Sequence, residues 1–358
     1  MNLIDYNYVN QKDKDLVEQF INSNRKKYII GINKFTKQVL KYVDVDGVID
    51  DFTRVQSSRK KDILKIDEVE KDSLILSVAT GSPQELNQGL EKRGFEYFNY
   101  LAFYKYSGFE LVSPPFMSDF KDDFLANEIE YKKTYDLLAD EESKEVFEKI
   151  INFKISFDFS FMEGFSNNFD EQYFDKNLIP SFENITFVDA GAYVGDTLKQ
   201  IIKNYPDYKK IYCIEPNALH LKIAKRDFGD LENVEFINCG LGDKKQSLEE
   251  LNTNEHHGSH DYQATNINTI DNLIDEKVDF IKLDIEGAEQ DAIIGAKNTI
   301  KNHTPLLAIC IYHKASDWYK VPSLVLDIND SYEVYIRHYM EGIYETVMYF
   351  IPKDKKNS

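Results

Sequence analysis

The sequence predicts an α/β protein: a parallel sheet closed by an antiparallel hairpin, preceded by a smaller α/β unit. Three observations carry this. Short apolar runs alternate with segments whose apolar residues recur at helical spacing, as strands joined by crossover helices do. An aromatic-rich stretch between Phe95 and Phe174 interrupts that alternation. The C-terminal runs Tyr332 to Tyr339 and Glu345 to Ile351 alternate around Glu341-Gly342, as hairpin strands do.

In the first unit, Leu16, Val17, Phe20 and Ile21 form a weakly periodic helix. Tyr28 to Gly31 then reads as a buried strand, followed by a helix with Phe35, Val39, Leu40 and Val43 on one side. Val48-Ile49 is a second apolar piece and Leu74 to Ala79 a third strand. Ser82-Pro83 opens a helix that ends at Gly94. Beyond it, Phe95 to Phe109 and Phe153 to Phe174 are crowded with rings, and a charged helix over about Asp122 to Ile151 separates them. Large rings mostly build cores and interfaces, so this region predicts a structural bridge that could add contacts to a sugar.

From Ile185 the pattern sharpens. Strands are expected at Ile185 to Val188, Ile211 to Ile214, Val234 to Leu241, Val278 to Ile285 and Leu306 to Tyr312. Helices follow at Asp196, Asn217, Ile270, Ala288 to Ile300 and Val321 to Ile328. The domain division read from this is 1–110, a linker over 111–175, and 176–358.

With 358 residues the chain suits about two domains. Forty-three basic against 62 acidic residues leave a net charge of −19, which argues against nucleic acid as a partner. No apolar run reaches the ~18 residues of a membrane span, and the start lacks the basic-then-apolar order of a secretory signal. Cys213, Cys239 and Cys310 lie far apart inside apolar runs, as buried thiols do in a reducing compartment. A cytoplasmic location is the expectation.

The informative string is Val188-Asp189-Ala190-Gly191-Ala192-Tyr193-Val194-Gly195-Asp196-Thr197, between a strand and a helix. Ligands of open α/β sheets bind at such turns. It has no Lys-Ser/Thr pair for a triphosphate and no G-x-G-x-x-G for a pyrophosphate. Asp189 and Asp196 make the turn acidic, which fits a cationic ligand better. Glu215 ends the next strand, where a carboxylate can accept from two vicinal ribose hydroxyls.

VDAGAYVGDT, CIEPN, NCGLGDK, TIDNLI and FIKLDIEGAEQDAIIGA, in that order, resemble the FkbM family of S-adenosylmethionine-dependent methyltransferases. RHY with ETVMYFIP resembles that family's closing hairpin, so the likeness covers about Phe174 to Pro352. It implies a seven-stranded Rossmann-like methyltransferase sheet and methylation of a hydroxyl, commonly on a sugar. By position, Asp189, Gly191, Ala192, Tyr193 and Gly195 resemble the turn on the cofactor's methionine side, Glu215 its ribose acid, and Asn238 a neighbour of its adenine.

Methyl transfer needs in-line positioning and removal of a proton from the acceptor. The acceptor is expected beyond the fourth and fifth strands, near Asp284, Glu286, Glu289 and His313. Asp284 is read as orienting the acceptor or holding the cofactor amine, and Glu289 as a helix cap. His313 is the expected base, since imidazole titrates near neutral pH. Asp284, Glu286 and His313 could also hold a divalent metal, a reading not favoured over metal-free chemistry. The loop holding His256, His257 and His260 reads as a lid.

The first unit, with YIIG, GVIDDF and LILSVAT, resembles small Rossmann-like modules beside sugar-modifying enzymes. After Gly31 it offers Ile32-Asn33-Lys34-Phe35 where those modules place glycines, so a nucleotide would lose its backbone cradle. A binding or homo-oligomer-forming accessory role follows. The leading expectation is an O-methyltransferase acting on a sugar, nucleotide-sugar or glycan precursor. Its rivals are a nicotinamide-dependent sugar dehydrogenase and a non-catalytic nucleotide-sugar-binding protein on the same scaffold.

Overall fold

The central parallel strands of both sheets arise from apolar runs of three to five residues, too short for stable helices and buried on both faces. The computed structural model describes residues 1–51, 57–58, 61–247 and 266–355. The chain divides into two units. The first comprises Met1–Asp122, Phe147–Asn167 and Met340–Tyr344; the second comprises Asp123–Val146, Asn168–Tyr339 and Glu345–Ser358. The expected linker over 111–175 is thus shared between the two units.

The first unit holds strands β1 (Lys27–Ile30), β2 (Gly47–Ile49), β3 (Ser57–Ser58), β4 (Lys61–Leu64), β5 (Leu74–Ser77) and β6 (Glu96–Asn99). Their order is β3-β4-β2-β1-β5-β6, parallel except for the β3–β4 pair. Because side chains alternate along a strand, Ile29, Leu74 and Leu76 face the α1 (Gln11–Asn22) residues Leu16, Val17 and Phe20. Tyr28, Ile30 and Ile75 face Leu90 and Phe95 on the other side.

Helix α2 (Lys34–Val39) is capped by Asn33 and stops before Val43. Helix α3 (Pro83–Lys92) starts at Ser82-Pro83 as expected. The first aromatic stretch is a strand and a helix, β6 and α4 (Tyr100–Tyr106); Phe98 and Phe103 pack on Phe20 in the core. In place of one charged helix there are two, α5 (Phe120–Leu137) and α6 (Glu141–Ser156). Asp140 separates them, its carboxylate accepting the Ser143 N–H at 2.8 Å.

The second unit carries β7 (Thr186–Ala190), β8 (Lys210–Ile214), β9 (Val234–Ile237), β10 (Gly240–Leu241), β11 (Ile267–Asn268), β12 (Phe280–Leu283), β13 (Leu306–Cys310), β14 (Tyr332–His338) and β15 (Thr346–Pro352). Seven of these form one sheet in the order β14-β15-β13-β12-β7-β8-β9. β15 is antiparallel to both β13 and β14, and the other neighbours are parallel. The run Val234 to Leu241 is not one strand: the chain turns at Asn238-Cys239, and β10 pairs with β11 instead.

Crossovers run through α7 (Asp196–Asn204), α8 (Ala218–Phe228), α9 (Ile270–Leu273), α10 (Glu289–Gly295), α11 (Lys297–His303) and α12 (Asp317–Ile328). The single helix expected over Ala288 to Ile300 is interrupted at Ala296. All three cysteines are free and buried. Among the described residues, no helix is long and apolar enough to cross a membrane. The histidine-rich loop read as a lid lies outside the described residues. Because β7, β8, β9, β12 and β13 are parallel, their carboxyl ends and following turns share one edge of the sheet.

Candidate active site

The turn after β7 is shaped by close packing. Gly191 has φ +78°, and a Cβ there would lie 1.8 Å from the Asp284 carbonyl oxygen, so only glycine lets this turn rest on the end of β12. The backbone N–H groups of Gly191 and Ala192 both donate to the Ile214 carbonyl, at 2.9 and 3.1 Å. Ala192 is buried. Tyr193 is half-exposed and packs edge-on against His220. Gly195 enters α7 at φ +89° with the Phe228 ring against it.

Glu215, nearly buried, ties this turn to the next. Its Oε2 accepts the Tyr193 N–H at 2.9 Å and its Oε1 the Asn217 N–H at 2.8 Å. Each oxygen has spent one acceptor position and keeps another. Asn238 donates to the carbonyls of Glu215 and Pro216, at 2.8 and 2.9 Å. Gly191, Tyr193, Glu215 and Asn238 are therefore parts of one bonded edge.

Asp189 stands apart from them. It is completely buried, and its Oδ1 lies 3.1 Å from Nζ of Lys282, its register partner on β12. Lys282 also donates to the Gly191 carbonyl at 2.8 Å. Burial pulls the Lys282 pKa down, but Asp189, Asp284 and Asp196 more than offset it, and the ammonium is held above its usual range. The Asp189 carboxylate thus anchors the cation beneath the turn. Lys282 had no role in the sequence reading, although two charges inside neighbouring buried strands must find each other.

At the ends of β12 and β13 the acidic groups converge. Asp284 accepts from the Tyr312 hydroxyl on Oδ1 and from the Tyr173 hydroxyl on Oδ2, each at 3.1 Å. Burial raises its pKa, while Lys282, His313 and the two hydroxyls lower it further, leaving it below the usual carboxylate range. His313 lies with Nδ1 2.9 Å from Glu289 Oε1, and Nε2 3.5 Å from Asp284 Oδ1 and 3.7 Å from Glu286 Oε2. Glu289 also accepts the Ile285 N–H at 2.9 Å, ahead of α10, and no side chain among the described residues caps that helix, so the residue expected as a cap is instead the support of His313.

Burial alone would lower the His313 pKa, but Glu289, Asp284 and Glu286 raise it to about 9. Three carboxylates around the ring thus favour its protonated form, whereas a general base needs the neutral imidazole. Glu286 is half-exposed at φ +56°, and burial with neighbouring acids raises its pKa despite His313.

Tyr173, Tyr312 and Glu345 complete the cluster and were missed as site residues. Burial and Asp284 raise Glu345 to about 7, and Gln172 donates to it. Tyr173 and Glu345 lie 111 and 61 positions from Asp284 (284 − 173 and 345 − 284), so no local spacing announces them.

The match to known families falls on these same segments: residues 189–339 fit the family model described as the methyltransferase FkbM domain. Residues 189–339 are thus similar to an FkbM methyltransferase domain. No curated protein matches. Among solved structures, the FkbM methyltransferase of Methylobacillus flagellatus KT is similar over 96% of this chain and 94% of its own, with TM-score 0.76 and 22% identity, which establishes a shared fold. Two others align with about half the chain only. A putative rRNA methylase from Clostridium thermocellum gives TM-score 0.34 at 12% identity, covering 48% of this chain and 88% of that one. Aeropyrum pernix fibrillarin, in complex with natively bound S-adenosyl-L-methionine, gives 0.32 at 13%, covering 48% and 69%. The matched residues contain Asp189, Glu215, Asp284 and His313, while Tyr173 and Glu345 lie outside them.

Proposed function

We propose that the chain transfers a methyl group from S-adenosylmethionine to a hydroxyl of a sugar or glycan precursor. The observation that carries this reading is Glu215, one buried carboxylate joining two ligand-facing turns with an acceptor position left on each oxygen. Two vicinal ribose hydroxyls are the matching donors. The adjoining carboxylates Asp284, Glu286 and Glu289 favour a cationic cofactor over an anionic one. When bound, S-adenosylmethionine supplies an electrophilic methyl group on a sulfonium centre.

The chain's own work is then positioning and proton removal. Asp284, fixed by Tyr173, Tyr312 and the Gly191 contact, orients the acceptor hydroxyl. His313, held by Glu289, stands as a donor beside it. Glu286 is the carboxylate with access to solvent, and it receives the hydroxyl proton. Carboxylates, an imidazolium and phenols around one small space suit a polyhydroxyl acceptor, since each sugar hydroxyl both donates and accepts.

Calorimetry of the full chain with S-adenosylhomocysteine tests the cofactor assignment; saturable binding is expected, and no binding overturns it. Labelled cofactor incubated with carbohydrate extract, read by mass spectrometry, tests the acceptor. Label on a sugar hydroxyl is expected, and label only on protein or nucleic acid overturns it. His313→Ala is expected to bind S-adenosylhomocysteine and to slow methyl transfer; unchanged transfer removes His313 from the reaction.

A further inference from the structure

The carboxylates around His313 leave a charge question. Lys282 is committed to Asp189 and the Gly191 carbonyl, so its ammonium is already engaged. Asp284, Glu289 and His313 each bring one ligating atom to within 4.8 Å of the other two. Nδ1 of His313 lies 2.9 Å from Glu289 Oε1, so Nε2, 3.5 Å from Asp284 Oδ1, is the ring nitrogen that would face an ion.

An independent observation comes from Glu289. It is completely buried, and its Oε1 already accepts two bonds, from Ile285 and His313. Its Oε2 accepts none among the described residues. A buried carboxylate oxygen without a donor is strongly disfavoured, and a cation is the partner that relieves it. Two carboxylates and an imidazole that releases its proton on ligation form a donor set for a divalent ion such as Mn2+.

We propose that Asp284, Glu289 and His313 form a divalent-cation site at the carboxyl ends of β12 and β13, with Glu286 at its rim. The ion site itself needs no methyl transfer, whereas its role rests on the reading above. There the ion takes the acceptor oxygen and acidifies its hydroxyl. The proton passes to the Glu286 carboxylate, and the freed oxygen electron pair forms the bond to the methyl carbon. The carbon–sulfur bond breaks with its electron pair left on sulfur.

The test is a titration of chelator-treated full-length protein with Mn2+, followed by electron paramagnetic resonance. Saturable binding at one site is expected, weakened about tenfold or more in Asp284→Asn and in His313→Ala. Asp284 is at the partly open side of the cluster, so Asp284→Asn retains the fold, with its circular dichroism spectrum recorded alongside. Absence of saturable Mn2+ binding, or the same affinity in a folded Asp284→Asn, overturns the site. Calorimetry with S-adenosylhomocysteine in excess chelator separates the two claims. Binding there with no Mn2+ site leaves the methyltransferase reading standing alone, and a Mn2+ site with no S-adenosylhomocysteine binding leaves the ion site alone.

Discussion

Two parallel sheets in this chain present the same kind of edge and treat it oppositely. In the first unit the edge is filled from within. Asn33 caps α2 and donates to the Val78 carbonyl at 2.7 Å, bridging the turns after β1 and β5. The first N–H groups of α3, from Gln84 and Glu85, are taken at 2.9 and 3.0 Å by Glu341. What remains is a crevice with mainly apolar lining, Phe35, Val78, Tyr100 and Ile343 among it. In the second unit the same edge is bridged by Glu215, which retains acceptor capacity, and is bordered by carboxylates. A bridging amide bonded on both sides closes a sheet edge; a bridging carboxylate braces it and still accepts a ligand.

The sharpest way to break this contrast is a methyl at each first-turn glycine. Gly191→Ala drives a Cβ into the Asp284 carbonyl, so S-adenosylhomocysteine affinity is expected to fall by about 100-fold or more, read by calorimetry. Gly31 also has positive φ, +104°, but its Cβ would meet only the Val78 side chain at 3.0 Å. Gly31→Ala is expected to lower the melting temperature and leave that affinity within about twofold. Equal losses would mean that both edges serve the ligand.

Next in size is the pair of bridging acids. Glu215→Ala removes two charge-assisted bonds and the ribose acceptors, and is expected to weaken binding by about 30-fold, roughly 2 kcal/mol. Glu341→Ala removes the carboxylate at the α3 N-terminus and is expected to cost about 1 kcal/mol of stability in denaturant titration, with binding unchanged.

How much of this was legible follows the same division. The turn after β7 and Glu215 are local: glycine and acid types fall at fixed places after apolar runs, and those places survive folding. The Asn33 bridge was half legible, since Gly31 followed by bulky residues argued against a nucleotide, but nothing local joined Asn33 to Val78. The cluster was legible as Asp284, Glu286, Glu289 and His313 and invisible as Tyr173 and Glu345, which only the sheet order and the hairpin bring near. Asp189 shows what strand burial hides: the acid at the head of the turn motif was legible, but its pairing with Lys282 on the neighbouring strand was not. Short polar strands such as β3 and β4 gave no periodic signal at all.

A smaller effect separates the units by pH. Lys154, on α6 in the first unit, is completely buried with its Nζ donating to the Phe116 carbonyl at 3.1 Å. Burial lowers its pKa to about 7 from 10.5, against the pull of Asp119. Because the folded value lies below the unfolded one, the penalty for folding is full below pH 7 and fades as pH rises toward 10.5. Lys154→Met is therefore expected to raise the melting temperature at pH 7 by several degrees, on the order of 2 kcal/mol, with the gain shrinking toward pH 10. A gain independent of pH would assign it to packing instead. Smallest is Asn238→Ala, which removes two donors from an exposed side chain and is expected to weaken S-adenosylhomocysteine binding about threefold.

The most direct measurement is amide hydrogen exchange of the full chain with and without S-adenosylhomocysteine. The account predicts added protection at residues 191–195 and 215–217, with 31–36 and 78–85 unchanged. Protection at 31–36 and 78–85, with none at the turn braced by Glu215, would contradict it.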